Sequence, residues 1–169
     1  MEEAPGDGDG DGDGSEPGSG VGRHDGFAYL LVQLGTHTAR LFAERLAPLG
    51  LEPRHAGMLF RLAASEGRSQ QAIGELVGLN ATRMVFLVDE LEQRGLVERR
   101  RNEADRRSHA LYLTGSGRAK LAELGAVAAR HQEELGASLS RDERGQLTGL
   151  LRKLAREQGI TEQSLPGAG

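Results

Sequence analysis

Cysteine and tryptophan are both missing from this chain of 169 residues, and its aromatics are limited to four phenylalanines and two tyrosines. Without cysteine there are no disulfides, no thiolate metal sites and no thiol-based redox sensing by this chain, although the compartment is not fixed by that absence. So few aromatics leave Leu, Val and Ala to build a core, which suits helices. No apolar run is long enough to span a bilayer. The N-terminus lacks the basic-then-apolar order of a signal peptide, so no membrane partner and a cytoplasmic location are expected. There is no nucleophile with a base at a recognisable spacing and no glycine-rich loop following a strand, so an enzyme is not expected. His37, His55 and His131 fall on different predicted helices with no paired ligand spacing, and neither a metal nor a cofactor is expected. Asp7-Gly8-Asp9-Gly10-Asp11-Gly12 matches half of a calcium loop, but its twelfth position is Gly18 where a bidentate Glu is needed.

The formal charge is −4. Residues 1–26 hold eight acids against Arg23 alone, a charge of −7, which leaves +3 for the remainder. The acidity therefore belongs to a Gly/Asp-rich tail that has too little apolar surface to fold. The rest is mildly basic, and a local basic patch bears on nucleic acid more than the whole-chain sum.

Phe27 to Leu46 reads as a long helix, with Phe27, Leu30, Leu31, Leu34, Leu41, Phe42 and Leu46 along one stripe. Pro48 and Gly50 end it. Pro53 opens a second helix to about Ser65, with Met58, Leu59 and Leu62 inward. Ser69 caps a short helix, Gln70 to Val77, expected to bury Ile73, Leu76 and Val77. A Gly78-Leu79 turn joins it to the next, and two short helices with a tight turn make a helix-turn-helix. After residue 113, Thr114 or Ser116 caps a helix to about Ala137, with Leu121, Leu124, Ala128 and Leu135 on one side. Ser140 and Glu143 form a capping box for a last helix using Leu147, Leu150, Leu151 and Leu154.

The centre of the chain is the stretch from Leu79 to Thr114. Asn80 caps a helix whose Met84, Leu87, Val88 and Leu91 share one face, with Gly95 as its stop. Thr82, Arg83 and Phe86 lie on the other face, while Asp89, Glu90 and Glu92 gather at the far end, where they would repel phosphate. Leu96 to Arg100 and His109 to Leu113 read as strands of a hairpin. Its polar loop, Arg101 to Ser108, is rich in arginine. A helix followed by a basic hairpin is the recognition helix and wing of a winged helix-turn-helix.

Leu96-Val97-Glu98-Arg99-Arg100, then Asp105-Arg106-Arg107 and Leu113-Thr114, resembles the wing of the MarR family of bacterial transcriptional regulators. The likeness runs over about residues 27–157 in helix order and length. The fold expected is mainly α with a small β-wing: a winged helix-turn-helix core at about 53–114, flanked by long dimerisation helices at about 27–47 and 115–157. A disordered acidic tail would occupy 1–26 and a flexible one 158–169. The apolar stripes of the end helices are wider than a small winged helix covers, so a homodimer is expected, as the resemblance also implies.

The resemblance implies that Arg107 enters the minor groove and that Asp105 braces the wing by pairing with Arg99 or Arg100. Arg101 and Arg106 are expected near phosphates. Thr82, Arg83 and Phe86 are the candidates for base edges, with Phe86 alternatively part of the core. Relatives carry a Thr-Arg pair where Val85 and Phe86 stand here. Ser69 and Gln70 are candidates for a phosphate contact, or simply a helix cap. The resemblance also implies a small effector, aromatic or anionic, in a cleft near His37, Arg40, His55 and Met58, residues that ordinary helix packing also accounts for. The function expected is a ligand-responsive repressor that binds double-stranded DNA at a pseudo-palindromic operator. The alternative is a winged-helix protein-interaction module that never touches DNA.

Overall fold

The computed structural model describes residues 26–101 and 109–160. Six helices and a two-stranded hairpin follow one another: α1 (Phe27–Leu46), a 3-10 turn (Ala47–Leu49), α2 (Pro53–Ala63), α3 (Gln70–Val77), α4 (Ala81–Gln93), β1 (Val97–Arg101), β2 (His109–Leu113), α5 (Gly115–Leu135) and α6 (Arg141–Glu157). The protein is mainly helical with a small β-wing. No helix among the described residues is long and apolar enough to cross a membrane.

The starts of most helices are set by side chains that take an orphan backbone N–H in the first turn. Ser69 accepts from Ala72 N at 3.1 Å and Asn80 from Arg83 N at 2.9 Å. Thr114, not Ser116, caps α5, accepting from Gly117 N at 2.9 Å while its hydroxyl donates to the Gly95 carbonyl. Ser140 and Glu143 form the reciprocal box before α6. Helix α2 has a box of its own: Glu52 accepts from the third helical amide, and the Glu52 N–H donates to His55 Nδ1 at 3.1 Å. The turn between α3 and α4 needs a left-handed residue, and Gly78 sits there at φ +73° without the Cβ penalty.

The core lies where α2, α3, α4 and the hairpin meet. Met58, Leu59, Leu62, Ile73, Val88 and Leu91 are fully buried, and Leu124 of α5 closes it from the other side. The hairpin is antiparallel with Val97 opposite Leu113 and Arg101 opposite His109. Its β2 edge also bridges to Ser69, so the wing is stitched to the start of α3. Glu66, just before α3, accepts from Leu113 N at 2.7 Å and pairs with Arg118 at 2.9 Å, which joins that loop to the wing and to α5.

Two expectations change, at the end of β1 and in α3, while the end helices leave their stripes uncovered as expected. Arg101 is the last residue of β1 rather than the first of the loop, because its backbone still pairs with His109. Leu76 is only partly covered. The apolar stripe of α1 is buried only at Leu46, with Leu41 and Phe42 half-covered, while Phe27, Leu30, Leu31 and Leu34 are exposed. No residue of α6 is buried either. These two helices turn their leucines toward each other across a groove of about 540 Å³, lined by Leu31, Leu34, Leu150, Leu151 and neighbours.

Candidate nucleic-acid interface

Helix α4 is gripped on one side by the core through Met84, Leu87, Val88 and Leu91. That fixes which residues face out. Thr82, Arg83 and Phe86 are exposed, so Phe86 is not part of the core. Val85 is exposed beside it, a position the sequence pattern did not single out. Arg83 points outward from the first turn, where unpaired amide N–H groups already favour an anion. Arg68, which immediately precedes the cap of α3, is also exposed and was missed by sequence reasoning; its place one residue before Ser69 was the available signal. Among the described residues Arg68, Arg83 and Arg101 take part in no ion pair and stay available to a polyanion.

The acids at the far end of α4 do not stand free. Arg99 on β1 donates to Asp89 at 2.5 Å, to Glu92, and through Nε to Gln70 at 3.1 Å. Its guanidinium is largely covered, and it ties the wing to both helices of the helix-turn-helix. Glu90 accepts from His55 at 3.2 Å and pairs with Arg54. Because His55 Nδ1 accepts from Glu52 N–H, the ring proton sits on Nε2 and is the one given to Glu90. The His55 hydrogen bond, with the Arg54 charge adding to it, holds the Glu90 carboxyl below the usual range against the opposing effect of burial. The repulsion expected from Asp89, Glu90 and Glu92 is thus spent inside the molecule.

Arg100 follows a different course. It pairs with Glu98 at 2.5 Å and lies over the Tyr112 ring, 4.6 Å from its centre. Of the two candidate brace arginines, Arg99 joins wing to helix, while Arg100 is held within the hairpin. Asp105, Arg106 and Arg107 lie outside the described residues. Ser69 caps α3, and the Gln70 side-chain oxygen is taken by Arg99, so each carries a structural contact whatever else it meets.

The four residues expected near an effector cleft are not equivalent. His55 and Met58 are completely buried, the first by its capping and Glu90 bonds and the second by the core. His37 is exposed on α1, and Arg40 is engaged with Glu44 one turn on. Packing within one chain accounts for His55 and Met58 and leaves neither open to a ligand. A polar contact the sequence did not predict lies between α1 and α5, where Arg45 donates to His131 Nδ1 and pairs with Glu134. Burial, and then the Arg45 charge, push the His131 imidazole down, against the opposing charge of Glu134. The described residues include no cluster of three potential metal ligands.

Comparison with known proteins agrees with this geometry. The model of the MarR family matches residues 49–108. A putative transcriptional regulatory protein for the hcr operon of Thauera aromatica is 35% identical over 112 residues, 66% of this chain and 68% of that one. A transcriptional repressor, CouR, bound to a 23-mer DNA duplex, superposes with a TM-score of 0.71 at 37% identity, over 76% of this chain and 92% of that one. A Mycobacterium tuberculosis MarR family protein in complex with salicylic acid is 26% identical, with a TM-score of 0.62 over 76% of this chain and 96% of that one.

Proposed function

Since the chain belongs to the MarR family of transcriptional regulators, we propose that it binds a pseudo-palindromic operator as a homodimer and represses transcription until a small ligand loosens the complex. The observation that carries the DNA reading is the charge arrangement around α4. Its N-terminal half is acid-free, Arg83 points out from it, and the acids behind it are neutralised. Arg68 and Arg101 stand exposed just before α3 and at the end of β1, with no ion pair among the described residues. Thr82, Arg83 and Phe86 meet base edges in the major groove, and Arg101 and Arg106 meet phosphate. Ser69 and Gln70 take a phosphate at the start of α3, and Arg107 enters the minor groove with Asp105 as its brace. The similarity to a repressor bound to duplex DNA supports the sign of regulation. The similarity to a protein that holds salicylic acid supports an aromatic, anionic effector. Such a ligand acts only through different affinities for two dimer states. The exposed leucines of α1 and α6 supply the dimer surface.

The test is binding of the full chain and of Arg107→Ala to DNA flanking the protein's own gene, across a salt series. Tight, sequence-selective binding that weakens steeply with salt and is lost in the variant is expected, because each neutralised phosphate releases counterions. Binding no better than to random DNA there, and no preferred site in a genome-wide selection, overturns the reading in favour of a protein-interaction module.

A further inference from the structure

Consecutive residues of an α-helix are turned by about 100°. With Met84, Leu87, Val88 and Leu91 packed into the core, the direction opposite them is occupied by Thr82, Phe86 and Asp89, with Val85 on one flank and Arg83 on the other. Asp89 is taken by Arg99. What remains on the outward face is a strip with the Thr82 methyl group and Phe86 at its centre and Val85 on its flank. Phe86 is 67% exposed and Val85 42%, and neither side chain has a hydrogen bond to offer.

A phenylalanine at the crest of a helix aimed at DNA makes little sense against phosphate or against the polar edges of guanine and cytosine. The major groove displays one apolar feature, the C5 methyl group of thymine. The exposed cations Arg83 on this helix, Arg68 just before α3 and Arg101 on β1, the two elements packed against it, match the polyanion that carries those methyls. We propose that Thr82, Val85 and Phe86 read thymine through its methyl group, and that Phe86 is the residue that sets this preference. The half-site is then thymine-directed at the positions under Phe86, with Arg83 the one long hydrogen-bonding side chain beside it. This proposal rests on the DNA-binding reading above and specifies how that site chooses sequence.

The experiment begins with a duplex selected by the full-length protein from a random-sequence pool. Each thymine of that duplex is then replaced singly by deoxyuridine, which pairs identically but lacks the methyl. At one or two thymines per half-site, affinity is expected to fall about fourfold, the factor for withdrawing one buried methyl group. Substitutions elsewhere in the duplex serve as internal controls. Phe86→Ala is expected to bind the thymine duplex more weakly and to be indifferent to uracil at those same positions, while Phe86→Leu keeps the sensitivity. Because Phe86 is exposed, thermal unfolding of both variants should match the wild type, and the uracil series on the wild type needs no variant. If the wild type binds its duplex but no uracil matters, or if Phe86→Ala still loses the same factor, the methyl reading is overturned while DNA binding stands. If no duplex is enriched from the pool, the DNA reading fails and this proposal with it.

Discussion

Gly117 lies in the first turn of α5, where the helix passes against the turn that joins α4 to β1. A Cβ built there would stand 2.0 Å from the Leu96 carbonyl oxygen, and that atom is backbone, with no rotamer to yield. The same residue gives its N–H to the Thr114 cap, so the turn cannot slide away without losing that bond. Gly117→Ala is therefore expected to cost about 3 kcal/mol, seen as a lower urea midpoint at unchanged slope. Glu66 offers a test by pH. The hydrogen bond from Arg118 lowers its carboxyl most, the Leu113 amide adds to this, and burial opposes both. The folded state thus binds that proton less readily than the unfolded chain does. The stabilisation is complete above the ordinary glutamate value and is lost as pH falls through the lower, folded value. Urea melts taken from neutral pH down to about 3 should show a shallower acid decline in Glu66→Gln than in the wild type.

At the scale of elements, the wing and α4 behave as one piece because Arg99 reaches from β1 to Asp89, Glu92 and Gln70. Arg101, two residues along the same strand face, has no such partners among the described residues. The two arginines should consequently differ in a salt series. Arg101→Ala is expected to reduce the slope of log affinity against log salt by about one, the mark of one lost phosphate contact. Arg99→Ala is expected to weaken binding with the slope unchanged, since its charge already belongs to two carboxylates. A matching fall in slope for both would disprove the clamp. The positions of these elements were legible from caps and periodicity: Ser69, Asn80 and Ser140 start their helices where local chemistry demands it. The pairings were less so. Asp89 and Glu92 read as repulsive because a helical face tells which residues point outward, not what waits there. Their partner becomes evident only once the register sets Val97 opposite Leu113 and Arg99 opposite Leu111. The box at α2 escaped notice because histidine stands where glutamate is usual, and that same bond keeps His55 inside and away from any cleft.

Across the whole molecule, the unsolved problem of a single chain is its leucines. Leu30, Leu31, Leu34, Leu147, Leu150 and Leu151 all remain exposed, on two helices that face one groove. A contiguous apolar surface of this kind rarely stays bare on a soluble monomer. A two-fold partner that brings the same two helices would cover it, and would set two α4 helices about one turn of DNA apart. Leu150 is 61% exposed in the single chain, so an acid there leaves the winged core untouched. In a dimer the same acid would be buried in apolar surroundings without a partner, at a cost of several kcal/mol. Leu150→Asp is accordingly expected to sediment as a monomer at concentrations where the wild type is a dimer, with unchanged circular dichroism. On DNA it should bind a full operator no better than an isolated half-site, because the second half-site then has no tethered partner. A Leu150→Asp protein that still sediments as a dimer would place the interface elsewhere, and one that is monomeric yet holds full operator affinity would separate dimerisation from recognition.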